Sequence, residues 1–178
     1  MVKPHLFHRA TVSRIIKETA DARTYVLAPG ETPFPYRAGQ FCTFKVHVNG
    51  EDLYRSYSMS SAPETDSEMA TTVKRVPGGK VSNWMLDNLV EGDEVTITRA
   101  AGTFCLTDTS VPVLGFGGGS GVTPILSLVK SALSTTHRKV RRFRCFSYAE
   151  HLSIESPRLR LPAFRHGELH VIDGDDAH

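Results

Sequence analysis

Arg55 and Tyr57 stand two residues apart in the run RSYSMSS, residues 55–61. The surrounding alternation reads as a β-strand, where residues two apart share a face, so a guanidinium and a phenol ring project side by side. A guanidinium grips a phosphate through two parallel N–H donors, and a phenol ring lies flat on a conjugated ring system. The pair therefore suits a ligand with phosphate at one end and a ring at the other. Ser58 points to the opposite face unless the strand twists or ends there. Taken singly, such an arginine and tyrosine are a surface charge and a rim aromatic, and a second feature is needed to make them a site.

That feature is Gly78-Gly79 followed by KVSNWMLDNL, residues 80–89. Val81, Met85 and Leu89 form one stripe of a helix, with Trp84 beside it and Gly92 at its end. The first turn offers free N–H groups and the positive end of the helix dipole, and the glycines leave this anion site open to close approach. Ser82 adds a hydroxyl there. A Gly-Gly before a serine is by itself an ordinary turn and cap. Its pairing with an arginine-and-aromatic strand in one small unit argues against coincidence.

A third feature is GFGGGSGVTP, residues 115–124, in which Gly117, Gly118, Gly119, Ser120 and Gly121 join the apolar strand VPVLGF to the helical pattern VTPILSLVKSAL. It is not a P-loop, because no Gly-Lys-Ser/Thr follows. No register gives G-x-G-x-x-G, since Ser120 takes the third glycine position counted from Gly115. No acid lies about twenty residues on to hold a ribose. Thr123-Pro124, a capping hydroxyl and then proline at the first helical position, is read as a helix start facing the glycine loop at the carboxyl end of a strand. That is where α/β sheets hold dinucleotides.

Six short strands must position these groups. TVSRIIKET, TYVLAP, QFCTFKVHV, LYRSYSM, MATTVKRV and EVTITRA alternate between turns, which implies an antiparallel barrel or sandwich. In FCTFKVHV, Cys42, Phe44, Val46 and Val48 face one side while Thr43, Lys45 and His47 face the other. Asn49-Gly50 then turns the chain back through a tight hairpin. From Val111 the texture becomes that of a β-loop-α unit of a parallel sheet. The expected domains are 1–108, rich in strands, and 109–178, of nucleotide-binding α/β type.

The chain has 178 residues, 40 % of them hydrophobic, enough for one domain or two small ones. Lys plus Arg number 21 against 19 acids, a net charge of +2, so no long-range field points to nucleic acid or a membrane. No apolar run has signal-peptide or membrane-spanning length, which gives a cytoplasmic expectation. Cys42, Cys105 and Cys145 lie far apart, as in a reducing compartment, and are fewer than the four thiolates of a ferredoxin-type cluster. His166 and His170 have a helical metal-ligand spacing in strand-like sequence without a matching acid, so no metal site is expected.

RAGQF (37–41), RSYS (55–58), VKR (73–75), GGKVSNWM (78–85) and GGGSGVTP (117–124) occur in the order and approximate spacing of the ferredoxin–NADP reductase superfamily. The chain resembles the reductase components of phenylacetyl-CoA and ketosteroid oxygenases in that superfamily, over roughly its first three quarters. The resemblance implies a six-stranded antiparallel Greek-key β-barrel with one helix, an FAD-binding FR-type domain. A partial Rossmann-like parallel α/β domain for NAD(P)H would follow it. By position, it implies Arg55 on the flavin pyrophosphate, Tyr57 stacked on the isoalloxazine and Ser58 near its reactive N5. Gly79, Lys80, Val81 and Ser82 would meet the phosphates, Lys74 would line the flavin through its backbone, and Thr123 would sit between flavin and nicotinamide. Ser58 and Thr123 are then the residues at the reacting atoms, acting by placement. The implied activity is a flavin-dependent oxidoreductase that passes electrons from NAD(P)H through FAD to an iron–sulfur protein or oxygenase component.

Some features depart from that pattern. The chain ends some 70 residues past the division, short of a whole dinucleotide-binding domain, and lacks both a Cys-Gly-Pro motif and a four-cysteine ferredoxin domain. KVRRFRCFSY, residues 139–148, should be a strand buried on both faces yet carries Arg141, Arg142 and Arg144. SIESPRLRLPAF, residues 153–164, should be a helix yet carries Pro157 and Pro162, and GELHVIDG, residues 167–174, reads as one more strand. A truncated or irregularly packed end is the expectation. Two rival readings follow. One is a non-catalytic FAD-binding remnant, and the other is a small interaction or nucleic-acid-binding domain using the basic run 138–144 with Phe143 and Phe146 interleaved.

Overall fold

The computed structural model describes residues 7–30 and 34–145, with side chains through residue 140 and backbone alone for 141–145. The expectations for 153–164 and 167–174, and those for His166 and His170, lie outside the described residues. The elements run β1 (Phe7–Lys17), β2 (Ala22–Pro29), β3 (Phe41–Val48), β4 (Glu51–Ser58), β5 (Met69–Lys74), α1 (Lys80–Asn88), β6 (Glu94–Thr98), β7 (Val113–Gly118), α2 (Val122–Thr135) and β8 (Val140–Cys145). No helix among the described residues is long and apolar enough to cross a membrane.

β1 to β6 form one antiparallel sheet in the order β4-β3-β6-β1-β2-β5. The sheet curls until its edges meet. Met59, just past β4, bridges Thr71 in β5, and the Ser60 N–H donates to the Ala70 carbonyl at 2.8 Å. β6 returns beside β3 instead of pairing with β5, which is Greek-key connectivity. The six strands expected from alternation are therefore present, curled as a barrel. The Asn49-Gly50 hairpin is also as expected, with φ of 51° and 82° at its two residues.

The alternation explains the core. Cys42, Phe44 and Val46 of β3 are buried and meet Val12, Tyr25, Leu27, Val73 and Ile97 from the other strands. The predicted stripe of α1, Val81, Met85 and Leu89, is buried in the same cluster together with Leu86. Each such apolar side chain contributes about 1.5–3 kcal/mol by leaving water. The Tyr25 hydroxyl, buried among them, donates to the Met85 carbonyl at 2.8 Å and so ties α1 to β2.

β7 and β8 pair in parallel from Val113↔Val140 to Gly118↔Cys145, with α2 as the crossover between them. Residues 140–145 of the arginine-bearing segment thus form a strand, and the expectation of a truncated or irregularly packed end otherwise falls outside the described residues. On one face of β7, Leu114 is 56 % and Phe116 65 % exposed. A strand beside it is not forced to be buried on both faces.

Candidate functional site

Along Glu51–Ser58, β4 is laddered among the described residues to β3 alone, which leaves its outer edge without another described strand up to the bridge at Met59. The register sets Arg55 opposite Phe44 and Tyr57 opposite Cys42, so both share the face of buried core residues, as their spacing predicted. They differ in depth. Tyr57 is half-buried with its ring edge-on to Phe44, centroids 5.6 Å apart at 74°. Burial pushes its phenol up to about 12, so the ring stays neutral at physiological pH. Arg55 is exposed, its Nη1 donating to the Tyr54 carbonyl at 2.7 Å, and no carboxylate pairs with it among the described residues. Ser58 lies on the other face, across from Phe41, and its carbonyl accepts from Thr71 Oγ1 at 2.8 Å. Lys74, the last residue of β5, holds its ammonium 3.6 Å from the Asp21 carboxylate.

α1 begins at Gly79, which occupies the cap position without a side-chain cap, so the amides of Lys80, Val81 and Ser82 open the helix. A side chain at Gly79 would place its Cβ 2.7 Å from Ser82 Oγ and 3.0 Å from Val76 Cβ, so Ser82 and Val76 would have to give way to it. The expected free hydroxyl of Ser82 is not presented there. Ser82 is buried and its Oγ accepts from the Val76 N–H at 3.3 Å, turned back into the preceding loop. Val81 is likewise buried in the core, whereas Lys80 is exposed, with Nζ 3.6 Å from Glu51 Oε2. That contact joins the start of α1 to the start of β4. Arg75 forms a two-pronged pair with Asp87, holding that carboxyl below its usual range and pinning the loop before α1 against the helix. Asn83 Oδ1 is buried without a hydrogen-bond partner among the described residues.

The glycine loop leads from β7 into α2. Gly117 and Gly118 close β7, and Gly119, Ser120 and Gly121 form a 3-10 turn. A Cβ at Gly117 would meet the backbone of Val122 at 3.2 Å, so the strand and helix approach closely there. The helix starts at Val122 with Gly121 as its cap. Thr123 is therefore not the capping residue, and Pro124 is not the first helical one. Both lie in the first turn, where a missing N–H costs nothing. Thr123 is buried and its Oγ1 donates to the Ser120 carbonyl at 2.9 Å.

Sequence reasoning missed how α2 meets the barrel. Ser127, fully buried, bonds to backbone groups of Gly39 and Ser61, and Lys130 pairs with Asp66. The available signal was the spacing of Thr123, Ser127 and Ser131, small hydroxyls at i, i+4 and i+8 of an otherwise apolar helix. The connection between the sheets is held by two arginines. Arg37 donates to the Leu106 carbonyl at 3.3 Å, and Arg138 donates to the carbonyls of Val111 at 2.5 Å and Thr107 at 3.1 Å.

The family model described as the oxidoreductase FAD-binding domain matches residues 9–105. The chain belongs to that family. As an FAD-binding domain it has curated relatives among oxygenase reductases. It is 39 % identical over 125 residues to the glycine betaine monooxygenase reductase subunit of Pseudomonas aeruginosa, covering 69 % of this chain and 34 % of that one. It is 41 % identical over 134 residues to the ferredoxin reductase component of 3-ketosteroid-9-alpha-monooxygenase from Rhodococcus rhodochrous, covering 73 % and 38 %. The match thus spans little more than a third of either relative. Among solved structures, phthalate dioxygenase reductase superposes with a TM-score of 0.70 at 26 % identity, over 79 % of this chain and 44 % of that one. The residues present fit FAD: a helix start without a side-chain cap, entered at a glycine where a Cβ would crowd Ser82 and Val76, a neutral half-buried phenol and, among the described residues, an exposed guanidinium without a carboxylate and an orphaned amide oxygen at Asn83.

Proposed function

We propose that the chain is the flavin-binding part of an oxygenase-type reductase, taking electrons from NAD(P)H and passing them to an iron–sulfur protein or oxygenase component in the cytoplasm. The observation that carries the reading is the Lys80–Glu51 contact, which brings the uncapped start of α1 to the strand bearing Arg55 and Tyr57, in a chain of this family. The relatives named above are reductase components of monooxygenases. Phthalate dioxygenase reductase is described as modular, moving electrons from pyridine nucleotides to a [2Fe-2S] centre.

In this reading Arg55 neutralises the pyrophosphate by a charge-assisted bond, and the amides of Lys80, Val81 and Ser82 receive its oxygens at the positive end of α1, with Gly79, whose own N–H bonds the Val76 carbonyl, leaving the approach open. Tyr57 supplies a flat uncharged face. Ser58 and the backbone of Lys74 line the ring, and Thr123 borders the place where a nicotinamide must lie. FAD, when bound, supplies the redox chemistry itself, accepting a hydride and releasing electrons singly. The side chains orient, screen and neutralise, and no side-chain acid or base is required. A domain boundary after residue 108 and a Rossmann-like nucleotide domain built on β7, α2 and β8 belong to the same proposal, with Gly117–Gly121 as its nucleotide loop. The nucleic-acid reading of the run 138–144 has less support, since the Arg138 guanidinium is already taken up by two backbone carbonyls.

Incubation of the purified chain with FAD, followed by gel filtration, should leave flavin absorption bands with the protein, and anaerobic NADH or NADPH should bleach them. A protein that retains no flavin rules the function out. One that retains flavin yet is bleached by dithionite alone supports the non-catalytic remnant instead.

A further inference from the structure

Ser127 is fully buried in the middle of α2, where its hydroxyl donates to the Ser61 carbonyl at 2.6 Å and accepts from the Gly39 N–H at 3.2 Å. Both partners belong to the barrel, at a telling place. Ser61 lies just past the RSYS run, and Gly39 precedes Gln40, whose carbonyl accepts the Met59 N–H at 2.9 Å. The two backbone groups are thus a direct continuation of the β3–β4 pair that carries Tyr57 and Ser58. Farther along α2, Lys130 Nζ reaches Asp66 at 3.1 Å and the Ser60 carbonyl at 3.4 Å, with only 13 % of its side chain exposed. Leu128, between them in sequence, packs on Ala38 and Ala62. Thr123 stands one turn before Ser127 on the same stripe of α2, about 6 Å along its axis.

We infer that Ser127 and Lys130 are positioning residues, which lock α2 to the segment 59–66 and thereby hold Thr123 at a fixed place relative to the end of β4. The inference rests on the flavin reading above, in which the nicotinamide and the flavin ring meet between those two elements. A misplacement there of about an ångström lowers a transfer rate by large factors. Ser127 suits the task because its hydroxyl satisfies one donor and one acceptor of the barrel, the Gly39 N–H and the Ser61 carbonyl, in one buried contact.

The full chain carrying Ser127→Ala, Lys130→Met or Lys130→Arg is compared with the parent. Amide hydrogen exchange is measured without cofactor, and stopped-flow reduction by NADH, NADPH and dithionite after loading with FAD. In Ser127→Ala, Gly39 is expected to exchange about tenfold faster while core amides such as Phe44 keep their protection. FAD affinity should stay within about twofold, reduction by the nucleotides should fall about tenfold or more, and reduction by dithionite should not change. Lys130→Met shares the loss, and Lys130→Arg recovers it. Unchanged Gly39 exchange, or nucleotide reduction at the parent's rate, overturns the inference. So does a fall in FAD affinity parallel to the fall in rate, which marks general damage to the fold. A parent that takes up no FAD, or is reduced by neither nucleotide, overturns the flavin reading and the positioning role with it, even where Gly39 exchange shows α2 latched to the barrel.

Discussion

Arg55 is the residue on which the phosphate site turns, because among the described residues its guanidinium bonds the Tyr54 carbonyl and no carboxylate. Replacing it with alanine should weaken FAD binding by about 1.5–3 kcal/mol, the range for a lost charge-assisted contact. Fluorescence titration of the apo-protein measures it, and equal affinity would reduce RSYS to a strand. Glu18 offers a test that needs no cofactor. Burial raises its carboxyl above the ordinary 4.5, against the opposing pull of a bond to Thr24 and the charge of Lys130. A raised carboxyl favours the protonated form in the fold, so its stabilising contribution is full below the ordinary value and is lost as pH rises through the folded one. Glu18→Gln should therefore raise the melting temperature at about pH 7 and leave it unchanged at about pH 4. An equal gain at both would show that ionisation is not the cause. At this scale the sequence told which groups share a face but not where each hydroxyl turns. The shared face of Arg55 and Tyr57 follows from a period of two, whereas Ser82 is aimed by the Val76 N–H, a loop contact that no periodicity encodes.

Among the elements, alternation and hairpin chemistry foretold β1 to β6 and α1, since each buries one face against the same core. The start of α2 was misjudged by two residues because Thr-Pro imitates a cap, while the glycines ahead of it supply the turn that really opens the helix. The turn before β3 carries a stricter demand. Gly39 has φ of +89°, and a Cβ there would stand 1.9 Å from the Phe104 carbonyl oxygen. Gly39→Ala should lower stability by at least about 2 kcal/mol, through both backbone strain and a clash with main chain that cannot swing aside. Denaturant midpoints compare the two proteins, and a loss within error would mean that the turn can refold around the added methyl.

For the whole molecule, the two sheets differ greatly in what they can bury. The barrel gathers residues from six strands and α1, whereas the core between β7, β8 and α2 is Ile125, Val129, Ala132 and Val140. A chain of residues 1–108 should therefore fold alone and bind FAD, while 109–145 alone should stay unfolded, being shorter than about 40 residues and having only that small core among its described residues. Circular dichroism and amide dispersion in NMR spectra distinguish the outcomes, and a folded 109–145 would contradict the account. The docking of α2 on the barrel was illegible in the sequence for the same reason of scale. Gly39 and Ser127 lie 88 positions apart, so the stripe of Thr123, Ser127 and Ser131 marks a buried face of α2 without telling what it meets.

The open margin of β4 has a consequence for handling and for the cell. Its outward N–H and C=O groups are a template for pairing with another chain, and Tyr54 beside them is 39 % exposed. Charged neighbours, Glu51, Asp52 and Arg55, only partly discourage such pairing. A bound dinucleotide lying along that strand would act as a shield against self-association. Protein made under flavin starvation should then form oligomers that added FAD suppresses, as light scattering at matched concentrations would show. Scattering that is indifferent to FAD would mean the margin is already protected by its charges.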